Sequence, residues 1–232
     1  MEEDFFILNG EYSFDNNIYV QQLPPLIIPE RRVEEIEVLE RDGCLNIDEG
    51  TYKPFTKTCV VYYNGKYLDK IANFLQDGEV IFSNSLDRYY KCKVYTQIEG
   101  TYLFADGEDK WYSLEIYFRC QPFGYSLQNE EITLTTPGII FNPCSFYSKP
   151  KITIYGSGES ILFYVNGNEI QIKNIDKYIT IDSTLRETKK GTTPANDKKI
   201  GDYPKLEVGD NTISWDGTVT KVIIQPNWRH KI

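Results

Sequence analysis

The 232-residue sequence predicts a mainly β protein of two domains, with one α-helix in the first domain. Two observations support the β class: apolar and polar residues alternate along several segments, and Asn-Gly and Asp-Gly pairs separate short apolar runs. A third observation is a single segment in which apolar residues recur at convincing helical spacing. Hydrophobic residues make up 41% of the chain and charged residues 25%, which is typical of a globular protein.

In the first domain, the clearest strand is Trp111–Cys120, in which every second residue faces one side. The residues on that side are Tyr112, Leu114, Ile116, Phe118 and Cys120. Lys91–Ile98 repeats the alternation and is predicted as a second strand. Val33–Gly43 is ambiguous, because its alternation favours a strand that turns at Asp42–Gly43, whereas a short helix is the alternative.

The predicted helix lies within Asn64–Val80. Leu68, Ile71 and Leu75 recur there near the 3.6-residue period of an α-helix. Gly78 is predicted to stop the helix in the left-handed conformation. The pattern therefore indicates one amphipathic helix of about three turns, packed against a sheet.

The second domain is predicted to be a β-sandwich or jelly roll of short strands. Asn166–Gly167 predicts a type I′ hairpin between Ile161–Val165 and Glu169–Ile172. A second hairpin is predicted at Asp216–Gly217, and Leu127–Pro143 is predicted to be a polar connection. The predicted domains are therefore residues 1–130 and residues 131–232.

The segment Arg186–Lys205 is polar and longer than the connections that usually join neighbouring strands. Its composition predicts a functional loop and a disordered loop equally well.

The charge of the chain argues against several kinds of partner. Its net charge is −9, with a sequence pI of about 4.8, and no basic stretch stands out. A protein that binds nucleic acid specifically needs such a basic surface. The amino-terminal residues lack the features of a signal peptide, and no apolar run is long enough to span a bilayer. We therefore expect neither specific nucleic-acid binding nor membrane insertion.

The sequence offers few candidate catalytic groups. His230 is the single histidine and lies between two basic residues near the end of the chain, so no other imidazole could serve a catalytic triad. The five cysteines are scattered without a C-x-x-C pair, which predicts reduced thiols packed as small apolar residues and no structural zinc site. The 34 Asp and Glu residues do not single out a catalytic pair. We expect no catalytic, metal-binding or cofactor-binding residues and no enzyme activity.

Three further features have a structural and a functional interpretation. The stretch "YGSGES" (Tyr155–Ser160) is better explained as a tight turn than as a phosphate-binding loop, because no helix follows it. "ADGEDK" (Ala105–Lys110) lacks the spacing of a calcium loop and is predicted as an exposed hairpin tip. Trp215 and Trp228 could stack against a sugar, but the alternation around Trp215 favours a place in the core.

Three stretches of the sequence, taken together, carry a resemblance to one known family. The first is "FFILNGEYSFDNNIYVQQLPPLIIPERRVEEIEVLERDGCL", with Asn9-Gly10, Pro24-Pro25 and the turn Arg41-Asp42-Gly43. The second is "YLDKIANFLQDGEVIFSNSLDRYYKCKVY", followed by "LEIYFRCQPFGYS". The third and most similar stretch begins at "ITIYGSGESILFYVNGNEIQI" and ends at "PNWR". Together these three stretches resemble the siphophage distal tail (Dit) proteins. One departure is Glu40, where many of these relatives have Gly before the turn.

This resemblance implies an N-terminal, β-sandwich-like ring-forming domain with one helix and a C-terminal galectin-like β-sandwich. It implies a virion structural protein, assembled in the bacterial cytoplasm, whose homo-hexamer forms a hub in the baseplate or tail tip. The hub would join the tail tube protein to the tail-associated protein, dock receptor-binding proteins for host attachment and let DNA pass. A prophage or tail-derived device is equally compatible with it.

The alternative function is a carbohydrate-binding module that recognises host cell-wall polysaccharide, suggested by the galectin-like second domain. Two observations count against it. The galectin sugar site needs a histidine, and this domain has none before His230. The chain is also too short to contain the inserted carbohydrate-binding module of some relatives.

Overall fold

The computed structural model describes residues 3–231 and confirms a mainly β fold with one α-helix in that part of the chain. Two compact units are present, the first running to Gly124 and the second from Tyr125 to His230, while Lys231 belongs to the first. The ring-forming role assigned to residues 1–130 and the galectin-like assignment of residues 131–232 stay predictions.

The first unit is built on an antiparallel sheet. Its strands are β1 (Phe6–Leu8), β2 (Glu11–Tyr12), β3 (Ile18–Gln22), β4 (Arg31–Glu37), β5 (Cys44–Tyr52), β6 (Phe55–Gly65), β7 (Gly78–Phe82), β8 (Arg88–Lys93), β9 (Gly100–Asp106) and β10 (Asp109–Cys120). The helix α1 spans Asp69–Phe74, and a 3₁₀ turn spans Phe14–Asn16. The sheet order is β2-β1-β7-β8-β10-β6-β3, with β9 on β10, whereas β4 and β5 form a separate two-stranded sheet.

The core of the first unit lies on one face of this sheet. Strand β10 confirms the predicted alternation, because Leu114, Ile116, Phe118 and Cys120 are all buried. The ring of Phe118 lies edge-on to those of Phe6 and Phe82, with centroids 5.3 and 5.5 Å apart. Such aromatic pairs add to the stability that burial of the rings supplies.

The helix is shorter than predicted and ends before Gly78. Ile71 and Leu75 are buried as the periodicity indicates, but β6 extends to Gly65 and β7 begins at Gly78. Gly78 therefore has another role: a Cβ there would overlap the side chain of Asn9. That side chain accepts a hydrogen bond from the Glu79 N–H at 2.9 Å, which needs the close approach that glycine permits.

Two strands of the first unit are shorter than the sequence predicted. The prediction for Lys91–Ile98 is correct only to Lys93, because the Val94 N–H donates to the Asp77 carboxylate at 2.9 Å instead of to a strand. For Val33–Gly43, the strand interpretation is confirmed and the short helix is wrong, since β4 runs to Glu37 and a loop follows. The predicted turn at Asp42–Gly43 is the end of that loop.

Most remaining strands belong to the second unit. The remaining strands are β11 (Gly124–Ser126), β12 (Ile132–Leu134), β13 (Gly138–Asn142), β14 (Lys151–Val165), β15 (Asn168–Asp182), β16 (Glu187–Lys190), β17 (Thr193–Pro194), β18 (Lys199–Ile200), β19 (Gly209–Asp216), β20 (Val219–Gln225) and β21 (Arg229–His230). A 3₁₀ turn spans Asn196–Lys198. The two 15-residue strands, β14 and β15, pair along their whole length.

The hairpin β14–β15 is the centre of one nine-stranded sheet, and its two halves have different neighbours. Near its open end, residues 151–156 pair with β20 and residues 180–182 pair with β16. Near its turn, residues 162–165 pair with β19 and residues 171–172 pair with β18. Apolar side chains from both halves enter one core, so the sheet is curled into a sandwich whose two layers share their longest strands.

The turn at Asn166–Gly167 is confirmed, because φ is 52° and 78° at its two residues and β14 and β15 flank it. The predicted hairpin at Asp216–Gly217 is wrong. Strands β19 and β20 do not pair with each other but with different halves of β14. Asp216–Gly217 is therefore the corner at which the chain passes from one half of β14 to the other.

The bend of β14 lies in the "YGSGES" stretch, which is not the tight turn that the sequence predicted. These residues are inside β14, and Gly156 marks a register shift in the pairing with β20. A Cβ on Gly156 would overlap the backbone oxygen of Thr218, so the strand can bend against this corner only with glycine there.

Two segments are more structured than their composition indicates. Leu127–Pro143 is not a mere connection, because it contains β12 and β13, which pair with β20 and β19. Arg186–Lys205 has regular structure in three short strands and a 3₁₀ turn. Within it, the Thr188 N–H donates to the side chain of Asn196 at 2.6 Å. The disordered alternative is therefore wrong.

The buried thiols of the first unit predict a loss of stability at alkaline pH. Burial raises the pKa of Cys59 and Cys120 from 9.0 to about 12 and that of Cys92 to about 11. A raised pKa contributes stability that is fully present below pH 9.0 and is lost as pH rises through the folded-state value. At about 1.4 kcal/mol per pKa unit, the free energy of unfolding should fall by several kcal/mol between pH 9 and 12.

Urea denaturation at a series of pH values measures this effect. Cys59→Ala should weaken the decline above pH 9, whereas the control Val61→Ala, also buried on β6, should lower stability without changing the pH dependence. Equal pH dependence in both variants would contradict the prediction.

Candidate subunit interface

His230, the candidate catalytic residue, is half-buried in the second unit, beside a buried cysteine. His230 Nε2 lies 3.2 Å from the Sγ of Cys144, a pair that sequence reasoning missed because the two residues are 86 positions apart. Cys144 is only 3% exposed, and the Asn142 carboxamide accepts a hydrogen bond from its N–H at 3.0 Å. Since a substrate could not reach the thiol, this pair has a packing role.

Within residues 3–231, no group of three His, Cys, Asp or Glu side chains is placed to hold a metal ion. Ala105–Lys110 forms the exposed tip of the β9–β10 hairpin, as its composition predicts. No helix in that part of the chain is sufficiently long and apolar to span a bilayer.

The two tryptophans that could have stacked on a sugar lie in or against the core of the second unit. Trp228 is 5% exposed. Trp215 is partly buried and its ring is parallel to that of Phe163, with centroids 6.5 Å apart. The core interpretation therefore explains both residues.

An unusual surface of the first unit is the hairpin of β4 and β5, which we call the arm (residues 31–52). Among residues 3–231, neither strand pairs with another sheet, and nearly all side chains of both strands are exposed. An isolated two-stranded hairpin is marginally stable in water. The arm would therefore gain stability if another surface covered it.

The two faces of the arm differ. Register places Glu34 opposite Ile47 and Ile36 opposite Leu45, so three aliphatic side chains share one face. They are 37% to 44% exposed. We call this the apolar face of the arm. Leu39, in the loop at its tip, is 91% exposed.

The opposite face of the arm is polar and acidic. It carries Val33, Glu35, Glu37, Cys44, Asn46 and Asp48. Ion pairs join Arg31 to Asp48 and Arg32 to Glu49, the latter at 3.7 Å, near the base of the arm. The register shifts there, because β5 contains extra residues around Gly50. Such irregularities bend a hairpin away from a regular ladder.

A second exposed surface of the first unit lies on β9. Tyr102 and Phe104 are 54% and 53% exposed. A register shift in the pairing with β10 sets them against Tyr112 and Trp111, each at a ring-centroid distance of 6.0 Å. Exposed aromatic rings of this kind are enriched at protein–protein interfaces.

The sequence predicted the strand β4 but not its exposure. Alternation of Ile36 and Val38 with glutamates is typical of a strand with one buried face, so the same pattern would have been assigned to the core. A usable signal was the number of charges: the arm contains three Arg and seven Asp or Glu residues. That content is unusual for a strand packed within a domain.

No protein-family model matches the chain, and no curated protein matches it. Among solved structures, it is similar to the SPP1 Dit (gp 19.1) protein, described as a paradigm of the hub adsorption apparatus in phages that infect Gram-positive bacteria. The similarity has a TM-score of 0.67 at 14% sequence identity and covers 97% of this chain and 99% of that one. The chain therefore has the fold of the SPP1 Dit protein, which confirms the resemblance that its sequence predicted.

Proposed function

We propose that this chain is a structural subunit of a phage tail hub and that six copies form a ring at the distal end of a long non-contractile tail. The main support is the fold likeness to a hub adsorption protein over almost the whole of both chains. Since 14% identity carries the fold alone, function must be supported by surface properties of this chain as well.

The arm provides that support. A cyclic ring needs a heterologous interface, in which two different patches of each subunit are complementary. The apolar face of the arm is one such patch, because three aliphatic side chains on a projecting hairpin would lose their contact with water on a neighbouring subunit. The exposed aromatic residues of β9 are a candidate for further contacts.

In this proposal the protein is a non-enzymatic component of the virion. Its ring joins the tail tube protein to the tail-associated protein and docks receptor-binding proteins. The net charge of −9 is suited to a hub through which DNA passes, because an acidic surface repels phosphates. Host attachment then depends on the docked proteins, not on a catalytic group of this chain.

Negative-stain electron microscopy and sedimentation test the proposal. Purified protein, alone or mixed with the neighbouring tail proteins, should form six-fold rings with six times the mass of the 27.0 kDa subunit. Persistence as a monomer in the presence of both neighbours would contradict the hub.

A further inference from the structure

A basic cavity lies in the second unit of this acidic chain. Its volume is about 250 Å³, and its lining includes Lys149, Arg186 and Lys205 with one carboxylate, Asp202. The local charge is therefore +2, from three cations and one anion, although the whole chain carries −9.

The fold brings these residues together from three segments. Lys149 precedes β14, Ser183 follows β15, and the Ser183 N–H donates to the Pro150 oxygen at 3.0 Å. Lys205 is held by an isolated bridge in which Ser148 and Leu206 exchange backbone hydrogen bonds of 2.8 and 3.1 Å. The wall of the cavity is thus fixed by backbone contacts.

The cations are not neutralised by direct ion pairs. Among residues 3–231, no carboxylate lies within 4.0 Å of the charged nitrogens of Lys149, Arg186 or Lys205. Burial, followed by the charges of Arg229, Lys205 and Arg186, lowers the pKa of Lys149. Arg186 and Lys205 lie over the rings of Tyr203 and Tyr147, 6.0 and 5.0 Å from the centroids. Like charges gathered without ion-pair partners are nevertheless costly unless an anion joins them.

A buried hydroxyl group is a second, independent sign of a ligand. Ser183 is 2% exposed and belongs to the cavity lining, and its Oγ has no hydrogen-bond partner in the described part of the chain. Buried hydroxyl groups without a partner are uncommon and destabilising. A ligand oxygen in the cavity could accept the hydrogen bond that this group does not make within the protein.

We propose that this cavity binds a phosphate group. A phosphate monoester carries about −1.5 to −2 at neutral pH, which matches the local charge, and has several acceptor oxygens for donors that approach from different segments. A carboxylate carries one charge and two oxygens, so it would leave part of this donor set unused. The site does not depend on the proposed hub, because all its residues belong to one unit of a single subunit.

Isothermal titration calorimetry of the full chain at low ionic strength tests the site. Inorganic phosphate and glycerol phosphate should bind saturably with one site per subunit, and acetate should bind at least ten-fold more weakly. Arg186→Gln should weaken phosphate binding roughly ten-fold or more, since it removes a charge-assisted hydrogen bond. Ser183→Ala should weaken it several-fold without changing any charge.

The matched control is Lys173→Gln, which removes the same charge from an exposed position of β15 and should alter binding less than two-fold. A second readout is the side-chain NMR signal of Lys149, whose pKa phosphate should raise towards its usual range. Absence of saturable phosphate binding, equal affinity for acetate, or equal losses in Arg186→Gln and Lys173→Gln would each overturn the proposal. None of these results bears on ring assembly, which microscopy measures separately.

Discussion

Replacing Ile36 by lysine is expected to leave the subunit folded and to abolish assembly of the ring. Ile36 is 37% exposed on the apolar face of the arm, so the substitution disturbs little within the monomer. At a subunit interface the same lysine would bury a charge against apolar atoms. That penalty, with the loss of aliphatic contact, is about 2–4 kcal/mol for each contact.

Because a closed ring repeats every contact, this effect multiplies around the assembly. Each contact would weaken by roughly 30- to 1,000-fold at about 1.4 kcal/mol per factor of ten. Adding Ile47→Lys, on the same face, should remove any residual assembly. Sedimentation velocity separates rings from monomers, and circular dichroism verifies that the variants are folded.

Val33→Lys is the matched control. Val33 is on the same strand and is 38% exposed, but it lies on the acidic face of the arm. We expect this variant to form rings as the unsubstituted protein does. If Ile36→Lys and Val33→Lys assembled equally well, the apolar face of the arm would not be the interface.

The second large effect is expected for Gly156→Ala, which should destabilise the second unit by about 3 kcal/mol or more. The added Cβ would overlap the backbone oxygen of Thr218, and a backbone atom at the corner between the two layers cannot move aside as a flexible side chain can. Relief would require separation of β14 from β20, which breaks several pairs of the sheet.

Gly138→Ala serves as the control for this prediction. Gly138 also lies in a strand of the second unit, but the nearest atoms to its added Cβ are 3.8 and 3.9 Å away, an ordinary contact distance. Its effect on the free energy of unfolding should stay below about 1 kcal/mol. Thermal and urea denaturation measure both variants, and comparable losses would show that the bend of β14 tolerates a side chain.

Several elements were predictable because their causes are local. The strand at Trp111–Cys120 follows from alternation, and the turn at Asn166–Gly167 follows from the positive φ that these two residues tolerate. The helix was located correctly but was too long in the prediction. The residues between Phe74 and β7 form a loop instead, in which the Asp77 carboxylate accepts a hydrogen bond from the Val94 N–H. No local pattern reveals that distant partner.

The candidate surfaces were less accessible to sequence reasoning. The strand character of β4 was predicted, but exposure of its apolar face depends on the absence of a packed neighbour within residues 3–231. The cavity between Lys149, Arg186 and Lys205 was likewise not anticipated. It requires segments that are distant in the chain and that the hairpin β14–β15 brings together.

By itself the sequence determined that the protein is mainly β, where its helix lies and where the long hairpin of the second unit turns. These properties depend on side-chain alternation and on backbone preferences within a few residues. Tertiary structure alone decided that β19 and β20 pair with opposite halves of β14, and that the arm exposes three aliphatic side chains. The physical reason is that strand pairing and burial are set by contacts between distant segments, and equally good local patterns are compatible with several partners.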